Sequence, residues 1–328
     1  PHRRWGAVTY RSSAASSLIT AALLAWAAAT PSFAQVELEV LPAQGNVFMI
    51  VGPGGNTTVQ IGHEAVVVVD TQTTAASDDL LAAIGKLSSK PIRYIINTSA
   101  DLEHTGGNEA VSRAGTYVRL IDTFDPRGSR SDAAIIAHVN VLERMSSPTG
   151  TQAPRAAGAW PSDTYFTEGW ELFVNGEALQ LIHVPTAHTD GDTIVFFRRS
   201  DVIATGDIYN TSRYPRFDSE KGGSVAGVIE GLNRVLDLAI PGENQEGGTV
   251  VIPGHGRLSD ETEVANYRDM LTIVRDRIAA MIAAGMTLEQ VQRAKPTSDY
   301  DGVYDEPNGW TAAMFVAAVY RDLSGGSR

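Results

Sequence analysis

Five short apolar runs in this chain stop on polar residues with chemically useful side chains. "AVVVVD" ends at Asp70, and "IRYIIN" opens onto "TSADLEH", which carries Ser99, Asp101, Glu103 and His104. "LIHVPTAH" reaches His188, "VIATGD" ends at Asp207, and "TVVIPGH" ends at His255. Runs of β-branched residues bounded by Gly, Pro, Asn and Asp read as strands. Five strand ends of this kind converge on one edge of a β-structure, which is a strong constraint on the fold. Glycines beside them (Gly106, Gly107, Gly191, Gly206, Gly254 and Gly256) let the backbone turn sharply there.

The strands come in two blocks, each leading into helices. "NVFMIVGP", "NTTVQIGH" and "AVVVVDTQ" open the first, followed by a helix in "SDDLLAAIGKLSSK" with Ser77 as its cap and Pro91 beyond its end. The strand "IRYIINTS" comes next, then a short helix in "GNEAVSRAG" and another in "SDAAIIAHVNVLERM". "WELFVN", "ALQLIHVP", "DTIVFFRR" and "DVIATGD" form the second block. The helix "SVAGVIEGLNRVLDLAI", the strand "GTVVIPGH" and the long helix in "SDETEVANYRDMLTIVRDRIAAMIAAG" follow. This order predicts an α+β fold in which two sheets pack face to face with helices outside. "PTGTQAPRAAGAWPSD", residues 148–163, reads as a surface loop.

Residues 1–34 stand apart from this pattern. Arg3, Arg4 and Arg11 precede the apolar "SSLITAALLAWAAAT", and small residues follow at Ser32 and Ala34. That is the order of a secretory signal peptide cut after Ala34, which makes the protein periplasmic or secreted and leaves one domain over residues 35–328, including a C-terminal helical tail. The apolar run is shorter than the roughly 20 residues of a spanning helix, so no stable membrane insertion is expected after cleavage. The chain has no cysteine, so neither a disulfide nor a thiolate metal ligand is available. A net charge of -12 argues against nucleic acid, whose binding needs a basic face. A small molecule is the expected partner, and the sequence leaves the oligomeric state open.

The pieces "VVVVD", "NTSADLEHTGGN", "PTAHTDGDTIVFF", "ATGDIY" and "IPGHG", in that order, resemble the metallo-β-lactamase superfamily. The resemblance covers essentially all of the chain from Gln35 and implies an αββα sandwich of two mixed sheets. "RYPRFDSEKGGS" and the C-terminal "PTSDYDGVY" further resemble exported bacterial members. The family's ligand motif is His-x-His-x-Asp-His. Here Ser99 and Asp101 stand at its two first histidines, Glu103 at its aspartate and His104 at its last histidine. His188, Asp207 and His255 fall on the remaining ligand positions.

The resemblance implies a first metal at Ser99, Asp101 and His188. It implies a second at Glu103, His104 and His255, with Asp207 between them. The second set holds two imidazoles and carboxylates, a sufficient zinc-type set. The first has a neutral hydroxyl and a carboxylate in place of two imidazoles, and should be weaker or prefer a harder ion. One or two divalent ions are expected, zinc first, with iron and manganese as alternatives. The implied activity is hydrolysis of an ester, lactone, amide or related bond by a metal-bound hydroxide, with Asp207, Glu103 and Asp101 as the catalytic carboxylates. Two alternatives stand beside it: a non-catalytic binding protein with a degenerate metal site, and an iron-dependent oxidoreductase.

Around this set, Asp70, Asp190 and Asp192 are expected to support the loops. Trp160, Phe166, Tyr209 and Tyr214 are candidates for a pocket rim, and Arg213 or Arg216 for meeting a substrate carboxylate. His63, His138 and His183 read as ordinary hydrogen-bonded histidines.

Overall fold

The structure, a computed structural model, describes His2 and residues 38–116, 132–148 and 154–325. Apart from His2, the leader reading of residues 1–34 lies outside the described residues. Twelve strands fall into two sheets among the described residues. The first holds β1 (Glu39–Gln44), β2 (Val47–Gly52), β3 (Gly55–Ile61), β4 (Val66–Val69), β5 (Ile92–Ile96), β6 (Ala134–His138) and β7 (Asp163–Tyr165), in that spatial order. Its first four strands are antiparallel neighbours, and β4 to β7 run parallel. The second sheet has the order β12 (Val250–Ile252), β11 (Val202–Ala204), β10 (Asp192–Phe197), β9 (Glu177–Val184) and β8 (Gly169–Val174). Only its β11–β12 pair is parallel.

Alternation along β4 shows how the layers arise. Val67 and Val69 face the second sheet and pack with Leu181, Val195, Phe197 and Ile252. Val66 and Val68 point the other way, onto Leu80 and Ile84 of α1 (Ser77–Leu87) and Val111 of α3 (Asn108–Ala114). A strand covered on both faces needs apolar residues at every position, which is why it reads "VVVV" without polar interruption. On the far side of the second sheet, α5 (Val225–Leu238), α6 (Glu261–Ala283) and α9 (Ala312–Leu323) close the largest apolar cluster. Helix, sheet, sheet and helix thus form the four layers of an αββα sandwich. No helix among the described residues is long and apolar enough to cross a membrane.

Three local expectations change. "SDAAIIAHVNVLERM" is not one helix: its first half is β6, and only Val139–Ser146 is helical, as α4. All of β6 is buried between parallel neighbours, and an apolar run of that kind carries no period to tell strand from helix. Residues Asp163–Tyr165, at the end of the expected loop, form the edge strand β7. Ser77 is the first residue of α1 rather than its cap, because a 3-10 turn over Thr74–Ala76 runs directly into the helix.

Candidate metal centre

The C-terminal ends of β4, β5, β11 and β12, with the loop between β9 and β10, bring their polar residues to one rim. Asp70 leaves β4 with a left-handed φ of 63°. That turn aims its carboxylate back into the fold, where Oδ1 accepts from the Thr98 N–H at 2.8 Å and Oδ2 from the Thr98 hydroxyl at 2.6 Å. Oδ2 also lies 2.8 Å from Nδ1 of His104. A carboxylate on one ring nitrogen fixes the other as the free one, a common way to present a histidine to a metal.

His104 and Glu103 sit on α2 (Leu102–Thr105), a single turn after β5. Asp207 lies in a 3-10 turn (Gly206–Ile208) directly after β11, and His255 follows β12. Gly254 makes the last approach feasible: a Cβ there would sit 2.4 Å from Oδ1 of Asp207. Asn56 ties the His255 loop to the first sheet, its side-chain amide donating to the carbonyls of Pro253 at 2.9 Å and Gly256 at 3.0 Å.

Glu103, His104, Asp207 and His255 each place one donor atom within 4.8 Å of all the others. His104 Nε2 lies 3.3 Å from Asp207 Oδ2, and His255 Nε2 lies 3.3 Å from Asp207 Oδ1 and 3.7 Å from Glu103 Oε1. A tetrahedral ion with bonds of about 2.0–2.2 Å separates its donors by about 3.3–3.6 Å, so the spacings suit one ion. His104 Nε2, His255 Nε2 and Asp207 Oδ1 are buried and make no hydrogen bond. Buried polar atoms are almost always satisfied, so three orphans facing one another point to a missing partner. The quartet fits a divalent ion on both counts.

Charge reinforces that reading. Burial disfavours the imidazolium of His104, yet the carboxylates of Asp70 and Asp207 outweigh it and hold its pKa well above the ordinary value. Burial likewise works against His255, and Asp207 with Glu103 raise it. Burial alone would push Asp207 up, but His104 and its neighbours hold it well below the usual carboxylate range. His255 lowers Glu103. Without metal, protons therefore occupy the positions where an ion would bind.

The other expected ligands are arranged differently. Ser99 is buried, and its hydroxyl accepts from the Asp101 N–H at 3.3 Å. Asp101 Oδ2 lies 2.9 Å from His188 Nε2, and its Oδ1 lies 3.0 Å from the ammonium of Lys221. His188 Nε2 is 3.9 Å from Asp207 Oδ2, so the two groups adjoin. None of Ser99, Asp101 and His188 belongs to the quartet. Lys221 escaped the sequence reading because lysine is not an expected metal ligand. Its only signal was a lone cation in "DSEKGG", before a glycine pair.

Supporting residues also sort themselves. Asp190 holds Arg144 through both carboxylate oxygens, at 2.8 and 2.6 Å. Asp192 accepts from the N–H and hydroxyl of Thr189, and burial raises its pKa to about 6. Tyr209 and Tyr214 are core residues, not rim residues: Tyr209 bonds Ser259, and Tyr214 stacks on Phe315 with ring centroids 4.6 Å apart. Trp160 packs against the small apolar cluster of Ala100, Ala137, Val141 and Met145, whereas Phe166 is 80% exposed. The Arg213 carbonyl accepts from the Tyr267 hydroxyl, and the Arg216 guanidinium lies over Trp310, 5.6 Å from the ring centre. Arg216, Phe217, Trp310 and Arg321 line a cavity of about 430 Å³ that reaches Asp101 and His188. His138 and His183 stack on each other at 3.5 Å, away from the quartet, and His63 is exposed.

Comparison with known proteins places the fold. The chain superposes on the stereoselective inverting sec-alkylsulfatase Pisa1 from Pseudomonas sp. with a TM-score of 0.61 at 15% identity, covering 87% of this chain. It spans 50% of that protein's length. A metallo-beta-lactamase from Pontibacter korlensis superposes with a TM-score of 0.54 at 15% identity, over 72% of this chain and 99% of that one. The DIM-1 metallo-beta-lactamase gives 0.51 at 18% identity, over 72% and 98%. At such identities the likeness shows the fold alone. No curated protein matches the chain by sequence. The sequence model of the Metallo-beta-lactamase superfamily matches residues 44–255, from the end of β1 to the last histidine of the quartet. With that match spanning all four strand ends and the loop that build the rim, the chain belongs to the metallo-β-lactamase superfamily.

Proposed function

We propose that the protein is a divalent-metal-dependent hydrolase, zinc being the first candidate ion, acting on an ester, lactone, amide or related bond of a small molecule. The observation that carries this is the set of three buried, hydrogen-bond-free donor atoms on His104, Asp207 and His255, with Glu103 beside them. An ion held by these four residues supplies a Lewis acid that polarises the scissile group and acidifies water.

The chain's own residues then divide the work. Asp70 keeps the proton of His104 on Nδ1, so Nε2 stays directed at the quartet. Asp207, held anionic by its neighbours, remains a carboxylate at any working pH. Glu103 is the least buried member, with a side chain 32% exposed, and stands at the solvent edge. There its carboxylate is placed to accept the proton that an attacking water gives up. The cavity beside His188 and Asp101 is large enough for a small molecule and carries two arginines, Arg216 and Arg321.

Neither alternative is favoured. A decayed binding pocket has no reason to keep four convergent donors with their outward nitrogens unsatisfied. The test is removal and return of metal. Chelation should abolish hydrolysis of a panel of esters, lactones and amides, and zinc should restore it. Hydrolysis that survives complete metal removal, or a protein that takes up no zinc, manganese or iron, would sink the proposal. Dioxygen consumption by iron-loaded protein, without hydrolysis, would favour the oxidoreductase instead.

A further inference from the structure

Lys221 stands against Asp101, at the position where the resemblance implies the first of two metal ions, and the groups around it satisfy one another. Its Nζ lies 3.0 Å from Asp101 Oδ1 and 3.2 Å from Asp218 Oδ2. Asp101 Oδ2 lies 2.9 Å from His188 Nε2, and His188 Nδ1 lies 2.9 Å from the Arg216 carbonyl oxygen. A carboxylate and a carbonyl are both acceptors, so each ring nitrogen of His188 already faces a partner within the protein.

The backbone fixes the lysine in place. Asp218 caps a 3-10 turn over Ser219–Lys221, accepting from the N–H groups of Glu220 and Lys221. The Asp218 N–H donates to the His188 carbonyl at 2.8 Å, and the Asp190 N–H donates to the Lys221 carbonyl at 2.8 Å. A Cβ on Gly223 would sit 2.2 Å from the His188 carbonyl oxygen, so glycine is needed where the two segments touch. The turn that carries Lys221 and the loop that carries His188 are therefore one unit. It holds a cation without a metal: the ammonium faces both Asp101 and Asp218. A divalent ion there would have to displace the ammonium from its two carboxylates, or sit beside its positive charge.

We propose that the chain binds a single metal ion, and that the Lys221 ammonium, clamped by Asp101 and Asp218, is the permanent cation in the place of a second. This rests on the reading of Glu103, His104, Asp207 and His255 as the metal site. It can nevertheless fail while that reading stands.

The test is a zinc titration of the full metal-free chain, read by elemental analysis after desalting. The unmodified protein should retain one equivalent, and Asp101→Asn should retain it with the same affinity. Lys221→Ala should acquire a second, weaker equivalent, whereas Lys221→Arg should stay at one. Two equivalents in the unmodified protein would overturn the proposal. So would a single ion whose affinity drops about tenfold or more in Asp101→Asn, as loss of a ligand or its support would cause. Folded Lys221→Ala that remains at one equivalent would overturn the role given to the ammonium. A different pattern marks failure of the underlying reading: no zinc bound at all, or an ion kept by His255→Ala. Two equivalents with one lost in His255→Ala would defeat the single-ion proposal alone.

Discussion

Glu103, His104, Asp207 and His255 leave three buried polar atoms without hydrogen bonds, whereas Asp101, His188 and Lys221 leave none. The two groups share the rim, and only 3.9 Å separates His188 Nε2 from Asp207 Oδ2. Both contain histidine and carboxylate, so donor chemistry alone does not tell them apart. What differs is the company each donor keeps. His104 and His255 each turn a nitrogen that makes no hydrogen bond toward the other donors of the quartet, while both nitrogens of His188 face acceptors. One half of the rim is a socket, and the other is an ion pair that fills the equivalent space with side chains.

Substitutions that strike the socket should break this contrast most visibly. His104→Ala or His255→Ala removes a direct ligand and should weaken zinc binding by more than about 100-fold, beyond what loss of a supporting partner costs. A competition titration against a chromophoric chelator measures it. Asp70→Asn touches no metal directly, but it disturbs the tautomer of His104. A loss of about 10–100-fold in zinc affinity is expected, with the fold intact by circular dichroism.

The ion-pair half should respond in stability rather than metal content. Asp101→Asn strips Lys221 and His188 of their shared carboxylate and should cost about 1–3 kcal/mol in urea unfolding while zinc content holds. Acidity sharpens the same point. Burial opposes charge on His188, but the Asp101 contact outweighs it and raises the pKa from 6.5 to about 10. A raised pKa gives stability that is whole below the unfolded value of 6.5 and is lost as the pH climbs through about 10. Metal-free protein should therefore lose part of its stability between about pH 6 and about pH 10, and Asp101→Asn should flatten that loss. The smallest effect belongs away from the rim. Tyr214→Phe forfeits hydrogen bonds to Asp301 and the Thr297 carbonyl, which should cost about 1 kcal/mol and leave zinc affinity unchanged.

Much of this architecture was legible before any coordinates. The unbroken "VVVV" of β4 and the alternation of β9 follow from burial on both faces of one sheet and the pleat of the other. Polar residues ending such runs had to gather at one edge. The strand β6 was not legible, since its buried "AIIAH" has no period and runs straight into helix α4. Tyr209 and Tyr214 misled because they lie on loops near the expected rim, although their side chains are buried and bond Ser259 and Asp301. Lys221 was hidden for a deeper reason. Its partner Asp101 lies 120 positions away in the chain, so nothing local marks the pair. Whether Asp101 meets an ion or an ammonium is decided by the turn at Ser219–Lys221, a tertiary fact.

The contrast between socket and ion pair is tested most directly by anomalous diffraction at the zinc edge, on crystals of the full chain grown with excess zinc. One peak enclosed by Glu103, His104, Asp207 and His255, with the Lys221 ammonium still against Asp101, is the predicted result. A second peak between Asp101 and His188, with Lys221 swung away, would contradict the account.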